Sequence, residues 1–224
     1  MPDYSELPRH IEARGWPAGL ESFAQQTLEL GYKVSTDLSP RQAAWKGLLS
    51  YEHRERALVI ERGCGSVALS LARDFDHVDA VYPDVYLVDA VRARFEYLGQ
   101  TNIAVSHELT PPKNTYDAIA VSGLTVGEVT PAMIDRLASA LSPHGSMYFA
   151  IEVPRPRQLQ EWAVTPIGRI LNVLRGRFRR VQPFRYVGPI VRAFELQLMG
   201  SAQPEPKKRV GGWLTGYRGG AIGI

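Results

Sequence analysis

The chain has 224 residues, 45% apolar and 22% charged, which suits one packed domain with appendages and excludes a disordered, collagenous or disulfide-built chain. A single cysteine excludes an internal disulfide and a cysteine-based zinc cluster, and no apolar run approaches the roughly 20 residues of a membrane span. The net charge of +3 hides a split: residues 1–154 hold 13 Lys+Arg against 20 Asp+Glu, and residues 155–224 hold 13 against 3. The opening stretch, MPDYSELPRHIEARG, mixes both charge signs without an apolar core. It does not read as a secretory signal, so a cytoplasmic protein is the expectation.

Residues 1–56 read as a polar, helical cover. Leu20, Phe23, Ala24 and Leu28 recur at helical spacing between Gly19 and Leu30, and Gly31 is placed to end that helix. Ser39-Pro40 then supplies an N-cap followed by proline, opening a helix through Ala43, Ala44, Leu48 and Leu49. No motif in this stretch carries chemistry.

From residue 57 the pattern changes. Short apolar strands at Ala57–Ile60, Val78–Val81, Ile103–Val105, Ala118–Val121 and Met147–Val153 alternate with helical segments. The helices run through Leu69, Leu71 and Ala72, over Val85–Leu98 up to Gly99, and over Pro131–Leu141, with Ser142-Pro143-His144-Gly145 as a turn. Such alternation predicts βαβ units with right-handed crossovers. The expected fold is a doubly wound, mostly parallel α/β sheet. A helix over Leu159–Leu174, interrupted near Pro166, should follow, then two strands, Phe178–Val187 and Val191–Leu198, as an antiparallel edge pair. The expected division is a cover over 1–56, an α/β domain over 57–199 and a basic, glycine-rich tail over 200–224. That tail alone cannot bury enough surface to offset its ordering entropy.

The informative place is the first strand–loop–helix. Glu61-Arg62-Gly63-Cys64-Gly65-Ser66 ends the first strand and opens a helix. Glycines there let a ligand approach the backbone. Cys64, inside the loop, has the size of a packing residue. The five histidines are scattered, and none has a catalytic partner visible in sequence.

Residues 57–153 resemble the class I S-adenosylmethionine-dependent methyltransferases. ALVIERGCGSVALSLAR is similar to the family's first motif, and HVDAVYPDVYLVDAVRARFEYLG to its second strand and helix. NTYDAIAVSGLTVGEV and MIDRLASALSPHGSMYFAIEV are similar to the fourth-strand and fifth-strand motifs. The resemblance implies S-adenosylmethionine as cofactor, with Glu61, Gly63, Cys64 and Gly65 along its methionine and ribose side. It implies further contacts from Tyr82 at the end of the second strand, from Glu108 near adenine and from Ser122 facing the transferred methyl group. Two positions depart from the pattern: Val67 replaces the third glycine, and Tyr82 replaces the carboxylate that accepts the ribose hydroxyls. A phenol offers no bidentate charged acceptor. Asp84, two residues on, could stand in for that carboxylate if the loop is shifted. The family's Asn-Pro-Pro-Tyr type motif is absent, which disfavours adenine-N6 methylation, and methyl transfer by proximity alone stays open. If cofactor binds, Gly65→Arg should abolish binding and leave the fold intact.

The basic third pairs Arg169, Arg175, Arg177, Arg179 and Arg180 with Ile170, Leu171, Val173, Leu174 and Phe178. In the tail, Lys207-Lys208-Arg209 and Arg218 alternate with Trp213 and Tyr217. Cations among aromatics suit an anionic partner, RNA or an acidic surface; the alternatives are a solvated helix face and a disordered linker. Two functions stand side by side: a methyltransferase of unknown substrate, and an inactive methyltransferase-fold subunit that binds or assembles through its basic tail.

Overall fold

A computed structural model of the chain describes residues 4–29, 53–125, 127–152, 166–185 and 191–198. The predicted helix after Ser39-Pro40 and the tail over 200–224 lie outside the described residues. Contacts divide the chain into two compact units, 1–43 with 55–110 and 44–54 with 111–224.

The first unit starts with a short 3-10 turn, then α1 (Leu7–Arg14) and α2 (Ala18–Glu29). Leu7, Leu20 and Phe23 are buried, and His10 joins the helices through Ser22 Oγ at 3.1 Å and Gln26 Oε1 at 2.8 Å. Three parallel strands follow: β1 (Arg56–Glu61), β2 (His77–Val81) and β3 (Ile103–Ser106), in the order β3-β2-β1. β1 is buried from Ala57 to Glu61, as a strand covered on both faces must be. β3 alternates half-buried and exposed residues. Between the strands run α3 (Ser66–Ala72) and α4 (Val85–Tyr97). α4 ends as its sequence demands: Gly99 takes a φ of +66°, and the Gln100 N–H reaches back to the Phe95 carbonyl at 2.9 Å.

The second unit holds β4 (Tyr116–Thr125), α5 (Pro131–Ala140), β5 (Leu141–Glu152), α6 (Pro166–Arg177), β6 (Phe178–Arg185) and β7 (Val191–Leu198). β4 and β5 are parallel, and β7 and β6 continue the sheet antiparallel in the order β4-β5-β7-β6. The expected antiparallel pair is present, with β6 at the edge. α5 begins where Thr130 Oγ1 accepts the Met133 N–H at 3.2 Å. α6 is described from Pro166, a residue suited to a helix's first turn; the expected residues 159–165 lie outside the described ones. The guanidinium of Arg177 on α6 pairs with the Asp135 carboxylate on α5.

Two boundaries differ from expectation. The turn at 142–145 sits inside β5 as an interruption, with Leu141 opposite Tyr116 and Ser146 opposite Ala118. β4 runs past Val121: a register shift and Gly123 at a φ of +78° let the chain rejoin the ladder at Leu124. Ser122 therefore lies within β4, not after it. Among the described residues no helix is long and apolar enough to cross a membrane. The sheets and covering helices form a mostly parallel α/β fold of the doubly wound type.

Candidate functional site

The loop between β1 and α3 is built by its two glycines. Gly63 and Gly65 have φ of +140° and +86°, values that a side chain resists. They turn the chain sharply enough that the Glu61 carboxylate meets the start of α3. Its Oε2 accepts the Val67 N–H at 3.1 Å and its Oε1 the Ala68 N–H at 3.2 Å. Tyr82, the residue after β2, donates its hydroxyl to the same Oε1 at 2.8 Å. All three contacts are donors to Glu61, the pattern that suits an ionised carboxylate. Burial pushes its pKa up from 4.5, while the bonds from Tyr82, Val67 and Ala68 and the charge of Arg94 pull it back.

Tyr82 is completely buried, and its phenol sits well above its ordinary pKa through burial and the neighbouring Glu61 charge. The side chain at the ribose-acceptor position thus faces inward, into the protein. α4 contributes two more groups. Phe95 lies against Gly65, where a Cβ would come within 2.6 Å of its ring. Arg94, also buried, donates from Nη1 to the Cys64 carbonyl, and its guanidinium lies 5.5 Å from the centre of the Trp16 ring. Gly63, Cys64 and Gly65 are all buried.

The structure thus brings together five of the expected residues: Glu61, Gly63, Cys64, Gly65 and Tyr82. Asp84 does not stand in for the missing carboxylate as an open acceptor, because Arg62 binds both of its oxygens, at 2.9 and 3.2 Å. Glu108 follows β3 on the surface, 3.7 Å from His107. Ser122 is half-buried in the second unit. The expectation that Gly65→Arg would spare the fold meets an obstacle: φ is left-handed, and a Cβ would lie 2.6 Å from the Phe95 ring, so the ring or the loop must shift.

Sequence reasoning missed Arg94, Phe95 and Trp16. A signal was available, since Arg94 falls seven residues after Leu87 and three after Val91, on the apolar stripe of α4. The sequence also hid the contact between His77 and Asp79 at 3.0 Å, with Arg56 on the other oxygen at 2.8 Å. That group sits at the starts of β1 and β2, whereas the glycine loop leaves the end of β1. Among the described residues no cluster of His, Cys, Asp and Glu could hold a metal.

Cys64 is chemically quiet. Burial pushes its thiol up to about 12, so almost no thiolate is present at pH 8. Iodoacetamide at that pH should label the protein only after denaturation. Prompt labelling of the folded chain would mean that the loop opens readily.

S-adenosylmethionine presents a ribose diol and two cationic groups. The residues here do not fit it as the resemblance implies: Tyr82 is turned away on Glu61, Asp84 is paired, and a guanidinium already occupies the Cys64 carbonyl. No protein-family model matches the chain, and no curated protein does. Solved structures do. A SAM-dependent methyltransferase from Aquifex aeolicus superposes with a TM-score of 0.55 at 16% identity, over 86% of this chain and 98% of that one. A SAM-dependent O-methyltransferase from Thermotoga maritima gives 0.58 at 11%, over 82% and 72%. The tRNA (m1A58) methyltransferase of Aquifex aeolicus gives 0.55 at 11%, over 79% and 76%. The fold is that of the class I methyltransferases, and at these identities the likeness concerns fold alone.

Proposed function

We propose that this chain is a methyltransferase-fold domain without the family's cofactor site, working as a binding or assembly component. The observation that carries this reading is the wholly buried Tyr82 hydroxyl on Glu61. A side chain committed to the core cannot also receive a ribose, and fold by itself does not confer activity. In this reading the domain proper is residues 57–199, covered by 1–56. The partner is anionic, RNA or an acidic surface, and meets residues 155–224, where 13 Lys+Arg face 3 Asp+Glu.

A second reading, a S-adenosylmethionine-dependent methyltransferase of unknown substrate, is favoured by one observation. Gly63 and Gly65 keep their left-handed turns, and Glu61 keeps its place beneath them. Calorimetric titration with S-adenosylmethionine and S-adenosylhomocysteine separates the two. The expected result is no heat and no thermal shift at millimolar ligand. Micromolar binding of either compound would overturn the first reading in favour of the second.

A further inference from the structure

An arginine is almost never buried without a partner, because its charge cannot be removed by deprotonation. Arg94 is nevertheless only 4% exposed, near the end of α4. Its placement gives it three kinds of compensation. It donates a hydrogen bond to the Cys64 carbonyl in the middle of the glycine loop. It feels the buried Glu61 carboxyl, the acid that also holds the start of α3. It lies over the Trp16 ring, in the turn between α1 and α2. Its neighbour Phe95 presses on Gly65 from the same helix.

We infer that Arg94 is the resident cation of the glycine loop: a positioning residue whose charge orders residues 63–68 from within the chain, where a ligand's cationic group would otherwise act. The loop offers the Cys64 carbonyl, and the nearby Glu61 carboxylate acts on Arg94 through its charge; both favour a cation. The fold supplies that cation itself, on a helix, with the Trp16 ring 5.5 Å from its guanidinium carbon. A ligand cation aimed at the same carbonyl meets a like charge in a poorly solvated place. The inference stands apart from the scaffold reading, since a loop with a resident cation would be ordered whether or not the chain retains a substrate.

The test is amide hydrogen exchange of the full chain, read by mass spectrometry without any nucleoside ligand. In Arg94→Ala, exchange over residues 63–69 should rise about tenfold or more, the effect of losing one buried charged hydrogen bond. Exchange over β3 should not change. Free guanidinium, well below denaturing concentration, should restore most of the protection by entering the vacated space, while sodium chloride at equal concentration should not. Wild-type exchange in Arg94→Ala, or equal effects of the two salts, overturns the proposal. Should that variant fail to fold, Arg94→Gln decides the matter. It keeps an N–H donor without the charge, so faster loop exchange is expected, and a wild-type rate would show that the cation is unnecessary. Calorimetry with S-adenosylmethionine plays no part in this test, so the two readings succeed or fail separately.

Discussion

Replacing Glu61 with leucine should cost about 3–5 kcal/mol, since three buried donors lose their acceptor at about 1–3 kcal/mol each. Shape is nearly kept, so the cost is electrostatic. The change strands the Tyr82 hydroxyl and the Val67 and Ala68 N–H groups inside the protein. For a domain stable by about 5–15 kcal/mol that is a large fraction. Urea unfolding followed by circular dichroism measures it, and a loss under about 1 kcal/mol would mean that the cluster is solvated after all. Glu61→Gln keeps an acceptor oxygen and should fall between. The raised pKa also fixes a pH signature. Burial holds the folded pKa of Glu61 above 4.5, so ionising it costs the folded state more than the unfolded one, and the stability linked to its proton is complete below that value. It is lost as pH rises through the raised pKa. Measured against Glu61→Gln, wild-type stability should therefore decline with rising pH across that window.

Gly65→Ala should be nearly as damaging, at about 2–4 kcal/mol, from one residue forced left-handed together with overpacking against a ring. The added Cβ would lie 2.6 Å from Phe95 Cε1 and 3.3 Å from the Tyr82 hydroxyl. The double variant Gly65→Ala/Phe95→Leu separates the two causes. It should recover the packing part and leave the backbone part, giving a non-additive cycle. Strict additivity would show that Phe95 does not restrain the loop. Gly99, also left-handed, has nothing within 4 Å of its missing Cβ. Its alanine variant should show the backbone cost alone.

The fold was legible because parallel sheets write themselves plainly. Buried strands such as Ala57–Ile60 are short apolar runs, and the helices between them carry caps like Thr130-Pro131 and Gly99. The glycine loop was legible for the same reason, since only glycine suits its backbone. Tyr82 shows where legibility stopped. Its place at the end of β2 could be read, but the direction of its side chain could not, because a strand terminus lets a phenol point outward or inward. Arg94 was hidden by its residue type. On a helix an arginine reads as solvent-facing, and only its register with Leu87 and Val91 revealed a buried position. The segment 142–145 read as a turn between helix and strand, although β5 continues through it.

The groups described above that hold the glycine loop, from Trp16 to Phe95, lie in the first 95 residues. The pairing of β5 with β7 instead joins residues about 45 positions apart and needs the chain as far as Leu198. Chains emerge from the ribosome N-terminus first, and their early segments can organise while later ones are still being made. The loop and its internal cation can therefore close before the basic segment exists. Changes in that segment then act on a loop already built.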